Sequence, residues 1–247
     1  MNYSNPNNVS FPAAVSGASS LDFNKVLRGI YILMGAGLAT TAIVAYLTAT
    51  TPALLNLAAQ PGMWLIAIIA QFALVFALSF GVNRRWLSPT GAAIGFFAYS
   101  ALTGFTLSLV FLYFATNEPR ALFSAFGTAA ALFGCMTMFG LTTRMDLTKF
   151  GTYLMMALIG LVLAMVVNFF LNSGALGLII SWAGVLIFTG LTAYDTQKIK
   201  EMSYALEMQG DSSLTAKVSI LGALTLYLDF INLFLFLLQI FGGGSND

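Results

Sequence analysis

The amino-acid sequence predicts an all-α membrane protein, a bundle of seven transmembrane helices. Of its 247 residues, 59% are hydrophobic and 8% are charged, whereas roughly a quarter of the residues in a soluble domain carry a charge. A water-soluble fold cannot hide so much apolar surface with so few charges, but a bilayer replaces water around a helical bundle. Seven apolar runs are long enough to cross the bilayer as helices.

The seven predicted spans form one membrane domain over residues 23–241, because the breaks between them are short. They cover residues 26–48, 63–82, 90–115, 121–142, 150–171, 175–197 and 218–241. Residues 1–22 are mostly polar, with no basic residue ahead of Lys25, and we expect a disordered tail and not a cleaved signal peptide. The glycine-rich residues 242–247 should form a flexible C-terminal tail.

The basic residues predict the orientation of the chain. With seven spans, all but one of the ten Lys and Arg residues fall on one side: Lys25, Arg28, Arg84, Arg85, Arg144, Lys149, Lys198, Lys200 and Lys217. Basic loops stay in the cytoplasm, so the N-terminus is expected inside and the C-terminus outside, with Arg120 on the outer side. A six-span arrangement with a re-entrant last run is the alternative, and it would bring the C-terminus inside.

Composition also limits the partners. The net charge is +1 and no histidine is present, so we expect no nucleic-acid partner and no histidine-based metal centre or resident cofactor. The single cysteine, Cys135, excludes a disulfide within the chain. The expected partners are the lipid bilayer and the ions that cross it.

Two acidic residues lie inside the predicted spans. Placing a charged carboxylate in hydrocarbon costs at least about 2.5–3.5 kcal/mol, so Asp195 and Asp229 should face a partner or a wet cavity, or take up a proton. Thr225, Asp229 and Asn232 follow at i, i+4 and i+7, which places one polar stripe on an apolar helix. Thr192 shares a helix face with Asp195. The simpler alternative is that each aspartate bonds a neighbouring group and only holds the bundle together.

Whether the two carboxylates meet is left open by the sequence. Lys198 and Lys200 suggest that Asp195 lies near the inner end of its helix, whereas Asp229 lies near the middle of the last span, so contact requires the sixth helix to reach deeper by snorkelling of its lysines. If they meet, the pair shares a proton at low pH and repels when both acids ionise, unless a cation bridges them. Two oxygen ligands suit a transient Ca²⁺ contact and are too few for a tight site.

Two segments resemble a known family. The run from Thr189 to Lys200, TGLTAYDTQKIK, is similar to the signature of the Bax inhibitor-1 family (transmembrane Bax inhibitor motif proteins), and LYLDFINLF at residues 226–234 is similar to its last helix. The resemblance begins near residue 25 and covers nearly all of the chain after it. It implies the bacterial branch, a multi-pass protein of the inner membrane.

The resemblance also implies residue roles. In the bacterial branch a di-aspartyl pair acts as the pH sensor of a Ca²⁺ leak, and Asp195 and Asp229 match it. An arginine at the end of the second helix can latch the first aspartate, and Arg84 or Arg85 is the nearest match, although both also suit positive-inside anchors. Gln71 stands where some members have an acidic residue on the ion path, which would weaken cation attraction.

We therefore expect a pH-sensitive calcium or cation leak channel that is gated by Asp195 and Asp229 and is not an enzyme. The alternative is an interaction or regulatory protein that modulates a membrane protease or stress survival. A mixed-charge connection between Lys200 and Lys217, together with the N-terminal tail, motivates it. An intramembrane aspartyl hydrolase ranks lower, because Asp229 lacks a glycine-rich motif beside it.

Overall fold

The computed structural model describes residues 15–83, 87–207 and 212–243, and the regular structure in these ranges is all α-helical. Its helices in chain order are α1 (Val15–Thr50), α2 (Pro52–Ala58), α3 (Met63–Asn83), α4 (Pro89–Asn117), α5 (Pro119–Thr142), α6 (Thr148–Leu171), α7 (Gly174–Glu207) and α8 (Ser212–Gly243). Seven of these helices are long and apolar enough to cross a membrane. The predicted fold class is therefore confirmed.

The short helix α2 lies in the first connection and was not predicted. Pro52 occupies its first turn, where the missing proline N–H costs nothing because the first N–H groups of a helix have no partner within it. At seven residues, the helix is too short to span the hydrocarbon layer.

The predicted tails are partly helical. Helix α1 begins at Val15 and α8 continues to Gly243, so the predicted boundaries at residues 22 and 242 are wrong. Once a helix has formed its first turn, each added residue requires little free energy. The alanine, serine and leucine residues before Asp22 can therefore extend α1. Residues 1–14 and 244–247 lie outside the described residues, and so does the prediction about their order.

The connection predicted between Lys198 and Ala216 is also mostly helical. Helix α7 runs to Glu207 and α8 starts at Ser212, because polar residues at a membrane surface keep their intrahelical hydrogen bonds as well as apolar ones do. The Lys200 ammonium donates to the Leu141 carbonyl at 2.6 Å, so this lysine binds the end of α5 and does not mark the end of α7. A long loop for partner binding is thus largely absent from the described chain.

Helix α8 is the centre of the bundle. It packs against α1, α3, α4, α5 and α7, and 67% of the residues in its most apolar window are buried, against 6% for α6. Helix α6 instead presents large apolar side chains outward, such as Phe169 and Phe170. Such faces require lipid and not water as their surroundings.

The far end of α8 lies beside the turn between α4 and α5. A Cβ built on Gly242 would approach Phe114 to 2.3 Å and a Glu118 carboxyl oxygen to 3.3 Å. The last helix therefore crosses the whole bundle, and the six-span alternative does not fit. The assignment of this end to the outside of the cell stays a prediction.

Two glycines allow helices to touch backbone to backbone. A Cβ on Gly104 would lie 2.4 Å from the Thr41 carbonyl oxygen, and one on Gly140 would lie 2.5 Å from that of Ala193. No side chain fits at such distances, so glycine sets the closest approach of α4 to α1 and of α5 to α7.

Candidate functional site

The aspartates of α7 and α8 meet. The two helices run antiparallel, and the carboxyl groups of Asp195 and Asp229 are close enough to interact through a hydrogen bond. Asp229 is 4% exposed and Asp195 is partly buried. The contact that the sequence left open is therefore made, inside the membrane spans, between the buried Asp229 and the partly buried Asp195.

The extension of α7 resolves the difference in depth. About 18 Å of helix separates Asp195 from Glu207, and about 25 Å separates Ser212 from Asp229, at 1.5 Å per residue. Both aspartates therefore lie well inside the bundle. Lys200 does not limit the depth, because its ammonium reaches the end of α5.

The surroundings of the two acids differ. Lys198, one turn after Asp195, attracts the Asp195 carboxylate, and its ammonium lies 5.7 Å from the centre of the Tyr194 ring. The Oδ2 atom of Asp229 is buried and has no hydrogen-bond partner. A buried carboxylate oxygen without a partner is costly unless it is protonated or binds a cation.

Two of the polar residues predicted beside the pair, Thr192 and Asn232, form hydrogen bonds within their own helices. The Thr192 hydroxyl donates to the Phe188 carbonyl at 2.8 Å, and the Asn232 amide donates to the Leu228 carbonyl at 2.8 Å. Thr225 is partly buried, one turn before Asp229. Thr192 and Asn232 therefore direct these groups to backbone carbonyls instead of to the carboxyl pair.

The donor set fits only a weak cation contact. Across the described ranges, no group of three or more His, Cys, Asp or Glu side chains could hold a metal ion. A dedicated Ca²⁺ site uses six to eight oxygens. Asp195 and Asp229 could touch a passing hard cation, and water would have to supply most of its shell.

Gln71 does not join the pair. The Gln71 amide donates to the hydroxyls of Thr106 at 3.0 Å and Thr103 at 3.3 Å, so it ties α3 to α4. The candidate latch residues Arg84 and Arg85 lie outside the described residues.

Sequence reasoning missed the role of Gln197, although this residue lies within the signature run. Its amide oxygen accepts a hydrogen bond from the Leu147 N–H at 2.7 Å, and its amide nitrogen donates to the Met145 carbonyl at 2.8 Å. The α5–α6 turn is therefore fastened to α7 two residues after Asp195. A glutamine within this helical run is the signal that could have suggested such contacts, because a buried side-chain amide needs hydrogen-bond partners.

A second polar cluster lies on the other side of α8. We call Thr41, Ser100 and Tyr227 the hydroxyl brace. The Thr41 and Tyr227 hydroxyls are 2.6 Å apart, and the Thr41 hydroxyl also donates to the Ser100 carbonyl at 2.9 Å. Tyr227 precedes Asp229 by two residues, about 200° around the helix, so α8 presents its two polar groups to opposite partners.

These features define a class: an α-helical multi-pass membrane protein whose central helix carries a buried acid that is paired with an acid on the preceding helix. The chain belongs to the Bax inhibitor-1 family. The family model described as inhibitor of apoptosis-promoting Bax1 matches residues 23–246, which confirms the resemblance seen in the sequence.

Several similar proteins come from bacteria. The chain is 48% identical over 214 residues to the inner membrane protein YbhL of Escherichia coli K12, which covers 86% of this chain and 89% of that protein. It is 47% identical to an uncharacterized protein of Deinococcus radiodurans, over 88% of this chain and 89% of the relative. A Borreliella burgdorferi relative is 42% identical over 91% and 94% of the two chains. With seven spanning helices, the chain is a multi-pass protein of the inner membrane.

Proposed function

We propose that this protein is a pH-sensitive leak channel for calcium or other cations, without enzymatic activity, and that Asp195 and Asp229 form its gate. The observation that supports this most is the meeting of two buried carboxyl groups at the interface of α7 with the central helix α8. Apart from the contact with Asp195, the Oδ2 atom of Asp229 has no hydrogen-bond partner in the described chain, so this acid depends on its neighbour, a proton or a cation.

The proposed cycle follows from the charges of the pair. At low pH one proton is shared, the carboxyls hydrogen-bond and α7 stays against α8. When both acids ionise, like charges in a low-dielectric site repel, and the helices separate unless a cation lies between them. A permeating cation is then attracted to the same two carboxylates, so the gate also serves as a transient calcium contact.

The test is calcium efflux from vesicles. Purified protein would be reconstituted into Ca²⁺-loaded liposomes, and the leak rate would be measured from pH 5 to pH 9. Since one proton controls the gate, the wild-type rate should rise with pH by at most about tenfold per unit. The Asp195→Asn/Asp229→Asn variant should leak at a pH-independent rate.

The matched control is Glu201→Gln, an exposed acid on the same helix as Asp195, which should leave the wild-type pH profile unchanged. Equal leak by the wild type and the double variant at every pH would refute the proposal. Replacing Ca²⁺ with Na⁺ or K⁺ in the same vesicles measures selectivity.

The orientation with the N-terminus inside forms part of this proposal, because it places the lysine-rich ends of α7 and α8 in the cytoplasm. Cytoplasmic pH would then reach the pair from the end that carries Lys198 and Lys200. The regulatory alternative, with a membrane-protein partner, would rest mainly on the N-terminal segment, since the predicted sixth connection is mostly helix.

A further inference from the structure

A cleft opens at the end of the bundle where α4 turns into α5 and α8 finishes. Its volume is about 450 Å³, and the residues that line it include Glu118, Arg120, Ser124 and Phe241. This end lies opposite the α5–α6 turn, far from the aspartate pair. Because the spans end here, the cleft lies at the level of the lipid headgroups.

The cleft contains an acid and a base that do not pair. The Oε2 atom of Glu118 is shielded from solvent and has no hydrogen-bond partner. Arg120, two residues later, is exposed and leaves this oxygen unbonded. A shielded carboxylate oxygen without a donor loses its hydration without a compensating hydrogen bond. A cationic donor that reaches the exposed part of the same carboxylate from the cleft would therefore stabilise it.

We propose that this cleft binds the phosphoethanolamine headgroup of a membrane lipid. The lipid ammonium would donate to the Glu118 carboxylate, which is partly exposed in the cleft, while the phosphate would accept from the Arg120 guanidinium and the Ser124 hydroxyl. Phe241, 38% exposed, offers an apolar surface to the start of the acyl chains.

A simpler ligand would pair with only one of the two charged side chains in the cleft. A metal cation would satisfy Glu118 but would be repelled by Arg120. A phosphate or a phosphatidylglycerol headgroup would satisfy Arg120 but would leave Glu118 without a donor. A phosphate and a primary amine on one small headgroup meet both requirements.

Native mass spectrometry of the full-length protein tests the proposal. Delipidated protein would be titrated with equal amounts of phosphatidylethanolamine and phosphatidylglycerol, and the bound fraction of each would be counted. The wild type should retain phosphatidylethanolamine about tenfold better, the worth of one charge-assisted hydrogen bond. Glu118→Gln should bring the ratio close to one, and Glu118→Asp should restore part of it. Arg120→Gln should weaken binding of both lipids.

The α5–α6 turn supplies matched controls, because Arg144 and Asp146 repeat the spacing of an acid and a base two residues apart but are exposed. Arg144→Gln and Asp146→Asn should keep the wild-type ratio. Equal retention of both lipids by the wild type, or an unchanged ratio in a folded Glu118→Gln protein, would overturn the proposal. Displacement of the lipid by millimolar soluble phosphoethanolamine would assign the cleft to a water-soluble ligand and overturn the lipid assignment.

Discussion

On one side of α8, the Tyr227 hydroxyl meets Thr41, whose own hydroxyl reaches the Ser100 carbonyl. On the other side, Asp229 meets Asp195 and leaves one carboxyl oxygen without a partner. A fully satisfied buried network holds one arrangement, whereas two like acids attract through a shared proton and repel once both ionise. We therefore expect rigidity at the hydroxyl brace and, under the proposed function, switching at the aspartate pair, and four measurements test this difference.

The largest expected effect is the pH dependence of stability at the pair. Folding brings the acids together, so the folded state holds a proton that the unfolded state releases. Proton uptake therefore favours folding: the stabilisation is present at low pH and is lost as pH rises. For one proton the free energy of unfolding should fall by at most about 1.4 kcal/mol per pH unit. Unfolding in detergent, followed by circular dichroism from pH 5 to pH 9, measures the slope.

Asp229→Asn should reduce this slope most, because it removes the acid that is 4% exposed, and Asp195→Asn should reduce it less, because Asp229 stays buried and loses only the repulsion of its neighbour. The Glu201→Gln control should keep the wild-type slope. If both single variants retained the wild-type slope, the pH dependence of stability would not come from the aspartate pair.

The second effect tests the rigid side. Gly104→Ala would place a Cβ 2.4 Å from the Thr41 carbonyl oxygen, which forces α1 away from α4 and should cost about 1–3 kcal/mol of unfolding free energy. Its slope with pH should remain that of the wild type. Gly35→Ala is the matched control, because no atom lies within 4 Å of its added Cβ. Equal stability of the two variants would show that the helices do not depend on this approach.

The third effect is smaller and concerns the brace itself. Tyr227→Phe removes one hydroxyl but keeps the ring contacts with Tyr99 and Phe96. Hydrogen bonds between membrane helices contribute about 0.6 kcal/mol on average and up to about 1.7, so a loss in that range is expected at every pH. A loss that instead varied with pH would couple the brace to the aspartate pair.

The parts of this architecture that follow from local composition could be predicted from the sequence. Each span is a continuous apolar run, and each intramembrane acid stands out against it, so the seven spans and both aspartates emerged directly. The extension of α7 to Glu207 could not be predicted, because a surface helix and a surface loop have similar composition. The position of Lys200 predicts a helix end, yet its ammonium donates to a carbonyl at the end of α5.

The brace and the Gln197 contacts depend on residues far apart in the chain. Thr41 and Tyr227 are 186 residues apart, and threonine and tyrosine are unremarkable in a membrane helix. Gln197 reaches backbone groups about fifty residues away. The residue pattern of a single helix cannot predict these contacts, because they depend on which helices become neighbours in the folded protein.

The smallest expected effect comes from a third acid, outside the spans, whose pH response should have the opposite sign. Asp146 accepts hydrogen bonds from the Thr148 N–H at 3.0 Å and from the Thr148 hydroxyl. The hydroxyl bond, followed by the backbone bond, holds the pKa of this carboxyl below its usual value. Its stabilisation is present above the ordinary aspartate range and disappears as pH falls through the lowered pKa. The difference in unfolding temperature between wild type and Asp146→Ala should therefore be small at pH 7 and should vanish in acid, whereas the aspartate pair contributes most in acid. If the difference in unfolding temperature instead grew as pH fell, Asp146 would stabilise the fold most in acid, as the aspartate pair does, and the predicted opposite sign would be wrong.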